Sequence, residues 1–454
     1  MSTRPTHLAL GASLAVAAAV AAPALAASPA ASPAPADVSG HVSVYGFGVE
    51  TSDEIAQVRV QHVKERYPGL DLQFSETGFE EQAFLAALSG SSKPDVVSIP
   101  RNILGTYAAK GVLEPVDDCM ARMGVDPAVF QPAALSQVQL GGKTYGFPQF
   151  LNTREWFINA KAFQDAGLDP ATFDFSDWNA IADANTKMTT VDNGLVTRIG
   201  IDPKLPEFLP LWAKANGAAI LSDDGATSQL DDPKVAEALS FAASLLQPAG
   251  GQAPFNDFKQ TWDFFGAGNQ LATDQVGAFP MEQWYLNVLA ENSPDAPIVV
   301  RPFVDRQGNP VTWADGDAFA IVAGTPNEAA ACAFAAAMTE KDAWVAAAKA
   351  RAAARAKDGK PFTGTYTGNI AADEEIFSTL VDLSKMPAFA DAVKVIVDGQ
   401  KHAFSIPASA AAAEFDDAWM NAATDAITNG TDPTQALAAA DQTAQQALDT
   451  AASR

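Results

Sequence analysis

Metal-ligating and nucleophilic side chains are scarce in this sequence. Its 454 residues include four histidines and two cysteines. The histidines beyond the N-terminal segment, His41, His62 and His402, make neither a metal-ligand spacing nor a Ser/His/Asp context. No glycine-rich phosphate loop occurs. Asp223-Asp224-Gly225 has a fragment of a calcium loop but lacks its ligand spacing and terminal glutamate, so it reads as a surface turn. Adjacent carboxylates such as Glu80/Glu81, Asp117/Asp118 and Asp416/Asp417 face different directions on a helix, unlike the opposed pair that glycoside hydrolysis requires. Catalysis, a metal and an organic cofactor are therefore not expected. Cations are also in deficit: 29 Lys and Arg stand against 54 Asp and Glu, a net charge of −25. Such a surface repels phosphate backbones and anionic lipid, which disfavours nucleic acid as a partner.

Long apolar runs are absent after the N-terminus. There, Arg4, the run Leu8 to Ala22 and Ala24-Leu25-Ala26 read as an export signal over residues 1–26. A Pro/Ala/Ser linker follows to residue 37. The run is too Ala-rich and too short for a membrane anchor. No cysteine lies near the cleavage position, so lipid attachment there is excluded. The expected location is the periplasm or the extracellular space and cell envelope. Cys119 and Cys332 could bridge, but both sit in helical patterns among apolar neighbours, where free buried thiols are common. Two free thiols are the favoured expectation.

The segment after the linker alternates strand and helix. His41 to Tyr45 is extended, Ile55 to Tyr67 has helical spacing with Ser52 as N-cap, and Leu70, Leu72 and Phe74 alternate as a strand. A helix over Glu80 to Leu88 then leads to the apolar run Val96 to Ile99. This β-α-β-α-β order predicts a doubly wound α/β domain. Ligands of open parallel sheets bind beyond the carboxyl ends of the strands. That rule selects Tyr45, Phe47 and Glu50, then Glu76 and Phe79, then Arg101 and Asn102. Further helices are expected over 176–188, 232–246, 328–338 and 433–451, with a hairpin turn at Gly141-Gly142-Lys143 and an Ala-rich, solvated helix over 346–356 that carries Arg351 and Arg355. At 454 residues, two lobes are the default.

Several segments in fixed order resemble the extracellular solute-binding proteins of carbohydrate ABC importers, including the maltose and oligosaccharide binders. They are Leu88 to Val97 with Tyr107 to Val116, Gly142 to Pro148 running on to Lys161 and Asp169, Gln275 to Trp284, Gly316 to Ile321 with Thr325 to Ala330 and Trp344, and Asn429-Gly430 with Gln435 to Leu437. The resemblance covers nearly the whole chain after the linker. It implies a two-lobed α/β periplasmic-binding-protein-like fold, each lobe a sheet flanked by helices, joined by hinge crossings. One lobe would take 38–147 and 298–343, the other 148–297 and 344–454. It further implies a monomer that closes on a sugar or oligosaccharide and presents it to the importer's membrane subunits.

A sugar has an apolar C–H face that lies on aromatic rings and hydroxyls that need planar polar partners. By the resemblance, Trp284 is the aromatic platform, with Glu282 and Gln283 reaching hydroxyls. Asn152, Arg154 and Glu155 match polar contacts past the crossing, Trp313, Asp315 and Asp317 lie on the return to the first lobe, and Glu207, Phe208 and Trp212 line the far side. Trp178, Trp344 and Trp419 read as core, as does Trp262 with Phe264 and Phe265, and one of Trp156 and Phe157 must point inward. A secreted carbohydrate-active hydrolase and a same-fold binder of a non-sugar solute remain alternatives.

Overall fold

The structure, a computed structural model, describes residues 37–90 and 93–453. The expected export signal and most of the linker lie outside the described residues.

The first sheet begins as the sequence predicts. Strands Ser39–Tyr45, Gly69–Phe74 and Val96–Pro100 are parallel, with Val42 opposite Leu72 and Val44 opposite Val96. Helix Glu54–Arg66 connects the first two strands and Glu81–Ser89 leads to the third. Asp53, not Ser52, caps the first helix: its carboxylate accepts from the amides of Ile55 and Ala56. Two further strands complete the sheet, both distant in sequence. Asp315–Ile321 runs antiparallel to Val96–Pro100, and Phe147–Asn152 pairs on its outer side.

The second sheet has the order Ile298–Pro302, Arg154–Asn159, Val276–Glu282, Leu195–Ile201, Thr190–Asp192. Strand Arg154–Asn159 is buried on both faces. Trp156 stacks on Phe175 and Phe303 on one side, and Phe157 meets Phe279 and Tyr285 on the other. Both aromatic residues are therefore core, whereas the sequence required only that one of them point inward.

The lobe boundaries expected at 148 and 298 also need correction. Pro148 lies inside a strand of the first sheet, and Ile298 opens a strand of the second. Each strand is the outermost of its sheet, where a proline's missing N–H breaks no ladder bond. The chain passes from the first sheet to the second through the single residue Thr153. Helix Lys341–Lys357 likewise stays with the first lobe, against the expected switch at 344. It packs along Glu54–Arg66, buries Trp344 with the Arg59 guanidinium 3.7 Å over its ring, and pairs Arg351 with Asp53 and Glu54. The helix is thus not a solvated face. Helix Pro387–Gly399 then packs on the second sheet, and Ala412–Thr428 with Pro433–Ala452 complete that lobe's core.

Cys119 and Cys332 form a disulfide, with Cα atoms 5.7 Å apart. The expected free thiols are overturned because helices Asp117–Met123 and Glu328–Thr339, remote in sequence, pack against each other. The bridge closes a loop spanning 213 residues, and cross-links of long loops restrict the unfolded chain most. Replacing both cysteines with serine should lower the unfolding free energy by about 3 kcal/mol, measured by urea titration under oxidising conditions. An unchanged midpoint would refute this.

Candidate functional site

The single-residue crossing at Thr153 brings two sheet edges together. Asn152 ends a strand of the first sheet and Asp315 begins its neighbour, while Arg154 begins a strand of the second and Glu282 ends the one beside it. These four side chains form one network. The buried Arg154 guanidinium, 3% exposed, is shared between Asp315 and Glu282, the latter at 3.3 Å. It also donates to the Trp313 carbonyl at 3.0 Å and lies 4.3 Å over the Trp313 ring and 5.2 Å over Phe208. Asn152 Nδ2 donates to the other Asp315 oxygen at 3.1 Å. Burial alone would raise the Asp315 carboxyl, but Arg154 and Asn152 hold it below its usual range. Arg154 is correspondingly held in its charged form by Asp315 and Glu282 against the effect of burial.

Several residues expected to touch a ligand are engaged by the scaffold. Gln283, 2% exposed, clamps the crossing: its Oε1 accepts from the Thr153 amide and its Nε2 donates to the Leu151 carbonyl, each at 2.8 Å. Arg101 is fully buried. Its Nη1 donates to the carbonyls of Gln149, Phe150 and Asp317, and its Nε to Gln137. Gly316 leaves room for this, since a Cβ there would stand 2.7 Å from Arg101 Nη1. A planar five-donor group is well matched to such a cluster of backbone carbonyls. Phe47 packs on Phe74 and Phe319 in the first lobe. Phe208 and Trp313 are buried against each other, edge to face at 6.2 Å, beneath Arg154. Glu207 is exposed. Asn102 is exposed too, and its amide reaches Asp416 at 2.6 Å on helix Ala412–Thr428.

Beside the network lies a cavity of about 270 Å³ between the lobes. Asn152, Gln283 and Trp284 line it, together with Asn287 from the helix Tyr285–Asn292. The first lobe also contributes Asp53, Phe150, Arg351 and Arg355, and Phe362 with Gly364–Tyr366 completes the lining. Trp284 is half-buried and lies parallel to Phe265, 11° apart at 6.1 Å. Phe265 is 66% exposed and backs Trp284 rather than lying in the expected core, whereas Trp262 and Phe264 are half-buried and pack against the second lobe's core. A larger groove of about 630 Å³ between the last two helices has no aromatic ring in its lining.

Sequence reasoning missed Asp53, Asn287, Arg351 and Arg355. The available signal was the spacing of Arg351 and Arg355, four apart and so on one helix face. Trp178, Trp344 and Trp419 are buried core, as read.

Solved structures share the architecture. The protein CpMnBP1 with mannotriose bound matches with a TM-score of 0.70 at 21% identity, over 89% of this chain and 99% of that one. An ABC substrate-binding protein from Listeria monocytogenes in complex with cycloalternan matches at 0.69 and 16%, over 91% and 100%. UgpB from Mycobacterium tuberculosis in complex with glycerophosphocholine matches at 0.66 and 19%, over 91% and 99%. At these identities the likeness speaks for the fold, and the last shows that the fold alone does not name the solute. A family model, described as bacterial extracellular solute-binding protein, matches residues 49–343, more than half of the sequence. With two sheets joined at Thr153 and a cavity between them, this chain belongs to the bacterial extracellular solute-binding protein family.

Proposed function

We propose that the chain, exported and acting as a monomer, captures a sugar or oligosaccharide between its lobes and delivers it unaltered to the membrane subunits of an ABC importer. One observation carries this reading: an aromatic ring, Trp284, and planar polar side chains, Asn152, Asn287 and Arg355, share one interlobe cavity. Those are the two chemistries that a sugar's C–H face and hydroxyls require. In this reading Trp284 carries the ring face, and Asn152, fixed in orientation by Asp315, meets hydroxyls with Asn287. Asp315 and Glu282 position that set through Arg154. The first lobe comprises 38–152 with 315–379, since helix Ile370–Thr379 and Phe362 pack with Trp344 and Ile55, and the second lobe most of the remainder. A hydrolase fits less well, because Asp315 and Glu282 are both committed to one guanidinium and Asp315 is held below its usual range.

A thermal-shift panel tests the proposal with mannotriose, maltotriose, glycerophosphocholine and spermidine, since a ligand of the native state raises Tm by mass action. A saccharide shift, with the sugar recovered intact by chromatography, is the expected outcome. A shift with only glycerophosphocholine or spermidine would replace the sugar by a non-sugar solute, and cleaved sugar would establish the hydrolase.

A further inference from the structure

We infer that Glu291, Arg355 and Lys360 form an ionic latch between the lobes that retains the solute in the Trp284 cavity. The inference rests on that cavity being the solute site. Glu291 lies one turn beyond Asn287 on helix Tyr285–Asn292, which follows directly on a strand of the second sheet. Arg355 lies one turn beyond Arg351 on helix Lys341–Lys357, and Arg351 is bound to Asp53 and Glu54 of the first lobe. The two helices thus belong to different lobes and face each other across the cavity.

Glu291 reaches helix Lys341–Lys357 with one carboxylate oxygen and the segment just after that helix with the other. Oε2 meets Arg355 Nη2 at 3.2 Å, and Oε1 meets Lys360 Nζ. Beside them, Thr363 Oγ1 donates to Asn287 Oδ1. The Arg355 side chain is 11% exposed and that of Glu291 34%. This desolvation sets the pair apart from surface ion pairs, which contribute little. Lys360 and Arg355 hold the Glu291 carboxyl below its usual range. Arg355 also lines the cavity, so separating its walls breaks the contacts to Glu291. Two cations converge on one carboxylate, and neutralising Glu291 releases both. Its contacts exist only when the lobes are together, and only such contacts favour closure.

The test is Glu291→Gln, which keeps the side chain's shape, with Arg355→Gln/Lys360→Gln as a second route to the same loss. Small-angle scattering reports lobe separation without any ligand. Stopped-flow release of mannotriose reports retention. Each variant is expected to scatter as a more open particle and to release the sugar roughly ten-fold faster. Wild type in about 0.5 M NaCl should move the same way, because partly exposed pairs are screened. The swap Glu291→Arg/Arg355→Glu should recover part of the compactness. Variants that remain folded by circular dichroism yet match wild type in scattering would overturn the latch. If no saccharide binds while scattering still separates the variants, the sugar reading fails and the latch stands.

Discussion

Trp284→Ala should weaken saccharide binding roughly 100-fold, equivalent to almost 3 kcal/mol, while leaving the fold intact. Aromatic anchors in desolvated pockets carry a disproportionate share of binding energy, and Trp284 is the one tryptophan in the lining of the interlobe cavity. Its ring is held by neighbours on the second lobe: Phe264 at 6.2 Å, Tyr285 nearly perpendicular, and Phe265 parallel to it. That support fixes the ring plane before any ligand arrives, lowering the ordering cost of binding. The side chain is only half-buried, so truncation should cost the fold no more than about 1–2 kcal/mol. Titration calorimetry with whichever saccharide gives the largest thermal shift measures the effect, with urea unfolding as the control. Phe265→Ala, which removes the backing ring alone, should produce a smaller loss. Unchanged affinity in Trp284→Ala would place the platform elsewhere.

Glu155→Gln should make the protein more stable at pH 8 and nearly neutral in effect at pH 5. Glu155 follows Arg154 on the same strand and turns to the opposite face, into a buried space beside Tyr366 and Gly399. A Cβ on Gly399 would come within 3.0 Å of its Oε1. Neither carboxylate oxygen nor the Tyr366 hydroxyl has a hydrogen-bond partner among the described residues. Burial pushes the Glu155 carboxyl up to about 8, and the Arg154 charge opposes it only in part. The folded chain therefore keeps this proton up to about pH 8, whereas the unfolded chain loses it above about 4.5. Between those values the folded state binds more protons, so stability falls as pH rises and levels off above the folded pKa. Glutamine is neutral throughout and removes that slope, worth about 2–4 kcal/mol at pH 8. Asp373, pushed by burial to about 7, and Asp416, to about 6, give slopes of the same sign in both proteins. The difference in unfolding free energy between variant and wild type, taken from pH 5 to 9, isolates Glu155. A difference that does not grow with pH would show that Glu155 is already ionised in the folded chain.

Local physics made much of this molecule legible from its residues. Apolar spacing, caps and turn residues act within a few positions, so the opening β-α-β-α-β run and helices such as Trp178–Met188 and Pro433–Ala452 could be read to within a few residues. The family resemblance pointed to Asn152 and Trp284, which line one cavity, whereas the strand-end rule pointed to Phe47, Arg101 and Asn102, which do not line it. What a side chain does once there depends on partners far along the chain. Arg101 binds carbonyls of residues 149, 150 and 317, and Gln283 clamps residues 151 and 153. Cys119 finds Cys332, and Glu291 finds Arg355 and Lys360. Composition, secondary structure and family were thus determined by the sequence read locally. Which polar groups face the crevice and which hold the scaffold was decided only by the tertiary structure, because a buried donor or acceptor takes the nearest partner that the fold supplies, whatever the separation in sequence.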